Sequence, residues 1–312
     1  MKKVIVTTTI NAPTEAIEKF DAMPGWDLIA IGDRKTPADY KLKGGLYVSP
    51  EDQESYDKRL SDAIGWNCIQ RRNIGLLMAR EYGADVIAMV DDDNIPLPGW
   101  GENLMLGKET ETNFYEIELP AFDPIGATNY PWLWHRGYPL QLIRQREYNR
   151  VRSRKSITPH IQADFWNGDP DIDAFCRLEL APNCSFDPYF FPIASNKMSP
   201  FNSQNTFMLG SMLRDYFLWP GIGRMDDIWA SYYLQARGRQ VIYGKPSVYQ
   251  KRNEHDLIAD MKAEYLGYEN NLAIVNGLAR DAVSMLGYLP GRAIEAWELY
   301  QRHFGLKSRT GS

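Results

Sequence analysis

Cysteine is scarce in this chain: Cys68, Cys176 and Cys184 are the only three in 312 residues, and their spacings are unrelated. An odd number without metal-type spacing excludes a disulfide-stapled scaffold and a zinc module, and it fits a reduced compartment. Long apolar runs are missing as well. No window approaches the ~20 residues that a membrane span needs, and the opening Met1-Lys-Lys-Val-Ile-Val-Thr-Thr-Thr9 lacks a signal peptide's apolar region and cleavage site. A cytoplasmic location is therefore expected. Nor is there a cationic excess: 35 Lys plus Arg stand against 40 Asp plus Glu, a net charge of −5. That balance excludes a protein that coats nucleic acid, because phosphate binding runs on clustered Lys and Arg. Internal repeats, low-complexity tracts and a flavin signature are all absent.

What is present is an ordinary globular composition, 44% hydrophobic and 24% charged, long enough for one large α/β domain or two smaller ones. Two features stand out. Aromatic residues make up 12% of the chain, which suits a core and equally suits flat or sugar-like ligands. One stretch departs from the acidic balance: Arg144, Arg146, Arg150, Arg152, Arg154 and Lys155 are opposed only by Glu147. A solvated helix face is the ordinary reading of such a run.

The pattern along the first hundred residues alternates strand and helix. Val4-Ile-Val6 runs into Thr7-Thr-Thr9, and Asn11-Ala-Pro-Thr14 supplies turn and N-cap chemistry for a helix at 15–20. A second apolar run at 26–31 closes on Gly32-Asp33; residues 50–64 and 66–82 read as helices, and 84–90 as a buried strand. The expectation is a doubly wound, mostly parallel sheet, whose ligand sits at the carboxyl ends of the strands. Three polar clusters occupy that edge: Thr7-Thr8-Thr9, Gly32-Asp33-Arg34-Lys35 and Asp91-Asp-Asp-Asn94. Beyond residue 120 the chain becomes loop-rich and aromatic, then returns to a helix at 226–238, a short strand at 240–243 and closing helices at 271–286 and 291–304.

Consecutive carboxylates repel, so Asp91 to Asp93 at a strand end are costly unless a cation compensates. In an extended chain Asp91 and Asp93 project to the same side, and a hard cation held there leaves positions for diphosphate oxygens; a solvated acidic turn before Pro96 and Pro98 is the alternative. Asp33 is placed to accept hydrogen bonds from a base or ribose, or to serve as a turn aspartate. Arg71 and Arg72 near a helix start suit a diphosphate, or are surface cations. Asp226 and Asp227, after two glycines, either cap a helix or act as a pocket base. Of the four histidines only His135, beside Arg136, and His255, within Lys251-Arg-Asn-Glu-His255, have polar surroundings of interest.

Taken together, these clusters resemble a known family. Thr9-Ile-Asn-Ala-Pro-Thr14, Ile31-Gly-Asp-Arg-Lys-Thr-Pro37, Tyr47-Val-Ser-Pro-Glu-Asp-Gln53, Arg72-Asn-Ile-Gly75 and Asp91-Asp-Asp-Asn94 resemble the STELLO-type glycosyltransferase-like proteins. Arg136-Gly-Tyr-Pro139, Asn202-Ser-Gln-Asn-Thr206 and Ile222-Gly-Arg-Met-Asp-Asp-Ile-Trp-Ala230 resemble the reversibly glycosylated polypeptides, among them the plant UDP-arabinopyranose mutases. The resemblance runs in order over residues 4–268. It implies a GT-A-like fold, with a catalytic domain at 1–270 (nucleotide half 1–120, sugar and acceptor half 121–270) and a helical extension at 271–312. It also implies a UDP-sugar as substrate and Mn²⁺ or Mg²⁺ held by Asp91 and Asp93, with Thr8, Asp33, Arg71, Arg72 and Asp92 around the donor. Arg136 takes the position of the arginine tied to sugar attachment in the mutases, with Arg144, one residue out of register, or Arg146 as the second. Where relatives carry a late metal-binding histidine this chain has Gln250, leaving His255 as the candidate third ligand.

Three functions follow as expectations. One is a UDP-sugar pyranose/furanose mutase, in which Arg136 holds the phosphates and Asp226 or Asp227 moves a proton. The second is a glycosyltransferase with Asp227 as base toward a glycan or other acceptor. The third is a non-catalytic nucleotide-sugar-binding protein. Many aromatics fall around Arg136 and within 165–233, where a sugar pocket is expected. The sugar and the oligomeric state, homo-oligomer included, stay open.

Overall fold

The structure, a computed structural model, describes residues 1–146, 152–251 and 256–305. Strand β1 (Lys3–Thr8) is apolar and buried along its middle. Helix α1 (Glu15–Asp21) starts where the Ile17 amide donates to Thr14 Oγ1 at 3.3 Å, as the Asn-Ala-Pro-Thr signal predicts. Strands β2 (Asp27–Ile31) and β3 (Leu46–Val48) follow. Helix α2 (Pro50–Ile64) opens on a reciprocal pair of bonds between Ser49 and Asp52, which satisfies two amides that a helix start otherwise leaves bare.

The helix expected from residue 66 begins later. Asn67 adopts a left-handed φ of 58°, and the Cys68 amide donates to the Asp33 carboxylate at 3.0 Å. Those two features hold the chain out of helix until a single 3₁₀ turn at Ile69–Arg71 leads into α3 (Arg72–Glu81). A Cβ added at Gly75 would lie 2.6 Å from Val6, so glycine is what lets α3 press this closely on β1. Strand β4 (Val86–Val90) is buried at every residue. It ends in a turn at 91–94, closed by the Asn94 amide donating to the Asp91 carbonyl at 3.3 Å. Strand β5 (Asn94–Pro96) is stopped by its proline.

The chain continues through β6 (Thr110–Tyr115), β7 (Arg152–Ile157), β8 (Ile161–Gly168), α4 (Ala174–Leu180), β9 (Ile193–Ser195), β10 (Asn205–Leu209), α5 (Asp226–Ala236), β11 (Val241–Gln250), α6 (Leu257–Leu278) and α7 (Gly291–Arg302). All strands join one sheet in the order β3-β2-β1-β4-β10-β8-β11-β9-β6-β7, with β5 alongside β11. The fold class is α/β, with a doubly wound parallel front half. From β3 to β4 every pairing is parallel; β10 is antiparallel to both of its neighbours, and beyond it the two kinds mix. The chain winds outward from β1 to β3 and then returns to place β4 on the other side of β1. The switch point of the sheet therefore lies between β1 and β4, where a ligand crevice opens in folds of this type.

Several sequence expectations change in the second half. Strand β11 does not stop at 243: it absorbs Pro246 in an irregularity between Gly244 and Val248 and runs on to Gln250. Helix α6 begins at Leu257 and is continuous across residue 270, where the sequence reading starts the helical extension, and residues Ser284–Tyr288 form a 3₁₀ turn. The basic run is no helix face. Arg144 sits exposed in the 3₁₀ segment Leu140–Gln145, and Arg152, Arg154 and Lys155 lie on β7. Most aromatics of 165–233 are core: Phe165, Trp166, Phe207, Tyr216, Trp219, Trp229 and Tyr232 are buried, while Phe175 and Tyr189 are exposed.

Helix α7 docks on the front half. Arg292 donates to the carbonyls of Ala63 and Asp62 at 2.8 and 2.7 Å, and the Tyr300 hydroxyl donates to the Leu213 carbonyl at 2.9 Å. Among the described residues no helix is long and apolar enough to cross a membrane.

Candidate active site

A cleft of about 290 Å³ opens at the switch point between β1 and β4. Its walls are the segment after β1 (Thr8, Thr9, Ile10, Asn11), Asp33 after β2, the bend at Asn67, Cys68 and Ile69, and the acidic turn Asp91, Asp92 and Asp93. The three polar clusters singled out in the sequence thus meet in one place, because parallel strands deliver their carboxyl ends to the same edge.

Each wall is held by the others. Asp92 accepts from the Thr9 hydroxyl at 2.7 Å and from the Asn11 amide at 3.2 Å, while the Thr14 hydroxyl donates to the Asp92 carbonyl. Asp92 therefore ties the β1 segment to the acidic turn. Arg72 is fully buried and donates to Asp91 at 2.7 Å, to Thr8 Oγ1 at 3.2 Å, to the Val90 carbonyl at 3.1 Å and to the Ser203 carbonyl. It sets the orientation of Asp91. Burial pushes the Asp91 carboxyl above the usual range, and Arg72 offsets part of that. Asp33, buried, accepts from the Arg34 amide at 2.7 Å and the Cys68 amide at 3.0 Å, and its remaining lone pairs border the cleft.

Arg71, expected at the diphosphate, borders the cleft too, but most of its guanidinium is bonded within the fold. Its guanidinium donates inward to Gln53 at 2.8 Å, to the Ser61 hydroxyl at 2.8 Å and carbonyl at 3.0 Å, and to the Gly65 carbonyl at 3.3 Å, and it stacks 3.7 Å from the centre of the Trp66 ring. Burial lowers its pKa to about 10. These bonds engage most of its five N–H donors and leave little of the guanidinium for a diphosphate.

The second acidic pair lies beneath the cleft and not among the residues lining it. Asp226 and Asp227 are the first residues of α5 and, contrary to one reading of the sequence, do not cap it: the N-cap position is Met225. Asp227 faces Arg136 at 3.1 Å and accepts from the Ser203 amide at 2.9 Å and hydroxyl at 3.2 Å. Arg136 forks onto Asp171 at 2.9 and 3.0 Å with its other edge, and Asn202 donates to Asp171 at 2.8 Å. All of these groups are buried. Burial disfavours the Arg136 charge, but Asp171 and Asp227 more than offset it and hold its pKa well above the usual value. Asp226 accepts from Gln70 at 2.7 Å; burial, and then the Asp227 charge, push its carboxyl up to about 7. A continuous polar path therefore runs from Asp91 through Arg72, Ser203, Asp227 and Arg136 to Asp171.

Arg144 is exposed and is not among the residues lining the cleft. Arg146 is the anchored member of the pair, donating to Asp123 and, at 2.7 Å, to the Leu133 carbonyl. Gln250 is buried at the end of β11, in register with Asn94, so the residue in place of the histidine does reach the acidic turn. His255 lies outside the described residues, as do Glu147 and Arg150. Asp171, Ser203 and Gln70 were not foreseen as site neighbours. Their only signal was the Asn202-Ser-Gln-Asn-Thr206 string, since nothing in the sequence marks Asp171 as Arg136's partner.

As a cation site the acidic turn offers oxygen donors only. Among the described residues no group of three or more His, Cys, Asp and Glu side chains converges to hold a metal. Two carboxylates on one turn fit Mg²⁺ or Mn²⁺, which completes its shell with phosphate oxygens and water.

No family model matches the chain. It is homologous to two probable glycosyltransferases of Arabidopsis thaliana: STELLO1, 28% identical over 266 residues (75% of this chain, 33% of that protein), and STELLO2, 26% identical over 275 residues (80% and 36%). The chain thus spans about a third of the length of these relatives. Solved structures that resemble it include glucosyl-3-phosphoglycerate synthase from Mycobacterium tuberculosis with phosphoglyceric acid (12% identity, TM-score 0.46, covering 88% of this chain and 80% of that one). The same enzyme with Mn²⁺, UDP-glucose and phosphoglyceric acid gives 12% identity and a TM-score of 0.44, covering 92% and 80%.

Proposed function

We propose that this protein transfers a sugar from a UDP-sugar to an acceptor hydroxyl, assisted by Mn²⁺ or Mg²⁺. The observation that carries this reading is the cleft at the switch point, in which the Asp33 wall, the threonine segment and the acidic turn converge. UDP is the donor nucleotide that the sequence resemblance implies, and homology to probable glycosyltransferases points the same way.

In this reading Asp91 and Asp93 hold the cation, which when bound neutralises the charge growing on the departing diphosphate. Arg72 fixes the Asp91 carboxylate, Asp92 keeps the threonine segment closed against the acidic turn, and Asp33 accepts a hydrogen bond from the base or ribose. Asp226 and Asp227 do not reach an acceptor from beneath the cleft. Their part is to brace its floor through Gln70 and Ser203.

The mutase reading is the second candidate, and it rests on motifs alone. It assigns sugar attachment to Arg136, which here is 4% exposed and has its guanidinium locked between two carboxylates. Such a group is a poor carrier and a good brace. The discriminating experiment supplies Mn²⁺ with UDP-glucose, UDP-galactose and UDP-arabinopyranose, with and without a glycan acceptor. UDP released only when acceptor is present supports transfer. A UDP-furanose formed without acceptor overturns it in favour of the mutase, and binding without either reaction leaves a nucleotide-sugar-binding protein.

A further inference from the structure

The cationic run at 144–155 is a sequence feature that the cleft does not use. Its last members lie on β7, at the end of the sheet's strand order. Alternation along a strand sends Lys155 and Ile157 to the same face. There Ile157 is buried with Phe114, Ala194 and Ile242 in a small apolar cluster of its own, and the Lys155 ammonium stands 4.3 Å from the centre of the Phe114 ring. This face forms part of a groove of about 450 Å³. Phe114 and Ile157 back the groove but are themselves buried; Lys155, Lys197 and Arg239 give it three cations, and no carboxylate lines it.

The nearest compensating charge is shared. Asp215 pairs with Arg237 at 2.9 Å and with Arg239 at 3.4 Å, so one carboxylate serves two guanidiniums. The Nε of Arg239 is buried, and among the described residues no hydrogen-bond partner meets it. Clustered like charges repel, and an anionic ligand relieves that repulsion.

The groove is separate from the cleft, with which it shares no lining residue. Val241, which lines it, and Gln250, at the acidic turn, are the two ends of β11, and their partners on β8, Ile161 and Gly168, put them roughly 20 Å apart at the rise of an extended strand. We propose that this groove is a second binding site, for a small phosphate-bearing ligand. Its phosphate lies against Lys155, Lys197 and Arg239, and the rest of the ligand lies along the polar remainder of the groove, by Ser156, Ser195 and Gln240. A phosphate brings more charge and more oxygens to several cations than a carboxylate does, and the volume is that of a small-molecule pocket.

The test is calorimetry on the full chain at low salt, titrating inorganic phosphate and, separately, a hexose phosphate. Both are expected to bind, less tightly as sodium chloride screens the cations. Lys155→Gln, Lys197→Gln and Arg239→Met are each expected to weaken binding by about tenfold or more, while UDP binding in the cleft stays unchanged. The two lysines are not part of the core, so those variants keep the fold even if Arg239→Met does not. A hexose phosphate that binds more tightly than phosphate assigns the site to an ester, and equal affinities assign it to the free anion. Absence of phosphate binding, or binding that the two lysine variants leave unaltered, overturns the proposal. The result is independent of whether the cleft transfers sugar.

Discussion

The molecule carries two acidic pairs that look alike on paper and behave as opposites. Asp91 and Asp93 flank a turn at the open edge of a parallel sheet, and the Asp91 side chain keeps 19% of its surface exposed. Asp226 and Asp227 begin a helix and are each 4% exposed, with Arg136, Ser203 and Gln70 taking up their oxygens. A partly open carboxylate, steadied by one arginine from behind, still has lone pairs to offer a cation or ligand. A carboxylate sealed among donors has spent them on the fold. Burial and partner count, not residue type, separate a binding group from a brace.

The strongest way to break that contrast is Arg136→Ala. It leaves Asp171 and Asp227 buried without their cation, and breaking such a pair costs about 3–5 kcal/mol. Urea unfolding is expected to show a lower midpoint with little change of slope. An unchanged midpoint with lost turnover would instead make Arg136 a group that acts on substrate. Next in size is Asp93→Asn. Turnover is expected to fall by about 10²–10³-fold with the unfolding midpoint nearly unmoved, and calorimetry should show UDP binding that no longer responds to Mn²⁺. Equal metal dependence in variant and parent removes the cation from the acidic turn.

Asp226 sharpens the comparison through pH. Its folded pKa, about 7, lies above its value in the unfolded chain, so between roughly pH 4 and 7 the native state holds the extra proton. Stability contributed by the protonated form is complete below that window and declines as pH rises through it. Asp226→Asn should flatten the decline, which is on the order of a few kcal/mol; an identical slope in the variant assigns the titration elsewhere. The smallest expected effect is Arg144→Ala. An exposed side chain at the end of a 3₁₀ segment is expected to change stability by less than about 0.5 kcal/mol and turnover not at all. A loss of turnover would return Arg144 to the site.

The front of the molecule was legible for a local reason. Buried parallel strands are apolar runs, Thr14 and Ser49 announce helix starts, and a doubly wound sheet gathers its strand ends at one edge, so Thr8, Asp33 and Asp91 could be brought together from pattern alone. One local argument still failed. Asp91 and Asp93 were paired by strand alternation, but the chain turns there, so their joint position comes from turn geometry. Asn67 was hidden as well, since a single left-handed residue leaves the helical spacing after it intact.

The second half resisted because its contacts are distant in sequence. Arg136 meets Asp171, Ser203 meets Asp227 and Gln70 meets Asp226 across long separations, and no periodicity records such pairs. Arg71 and Arg72 make the point most sharply. They are adjacent cations at the start of one helix, yet successive residues of a helix point in different directions. One guanidinium turns inward to Gln53 and Ser61, and the other reaches Asp91 at the cleft.

The sequence by itself determined the α/β class, the alternating front half and the gathering of its polar clusters at one sheet edge, because those follow from hydrophobic period, capping residues and the shared direction of parallel strands. Only the tertiary structure decided which charges stay available to a ligand. That depends on desolvation and on partners brought in from remote strands, and a charged side chain reads the same in sequence whether it ends in water or against its counter-ion.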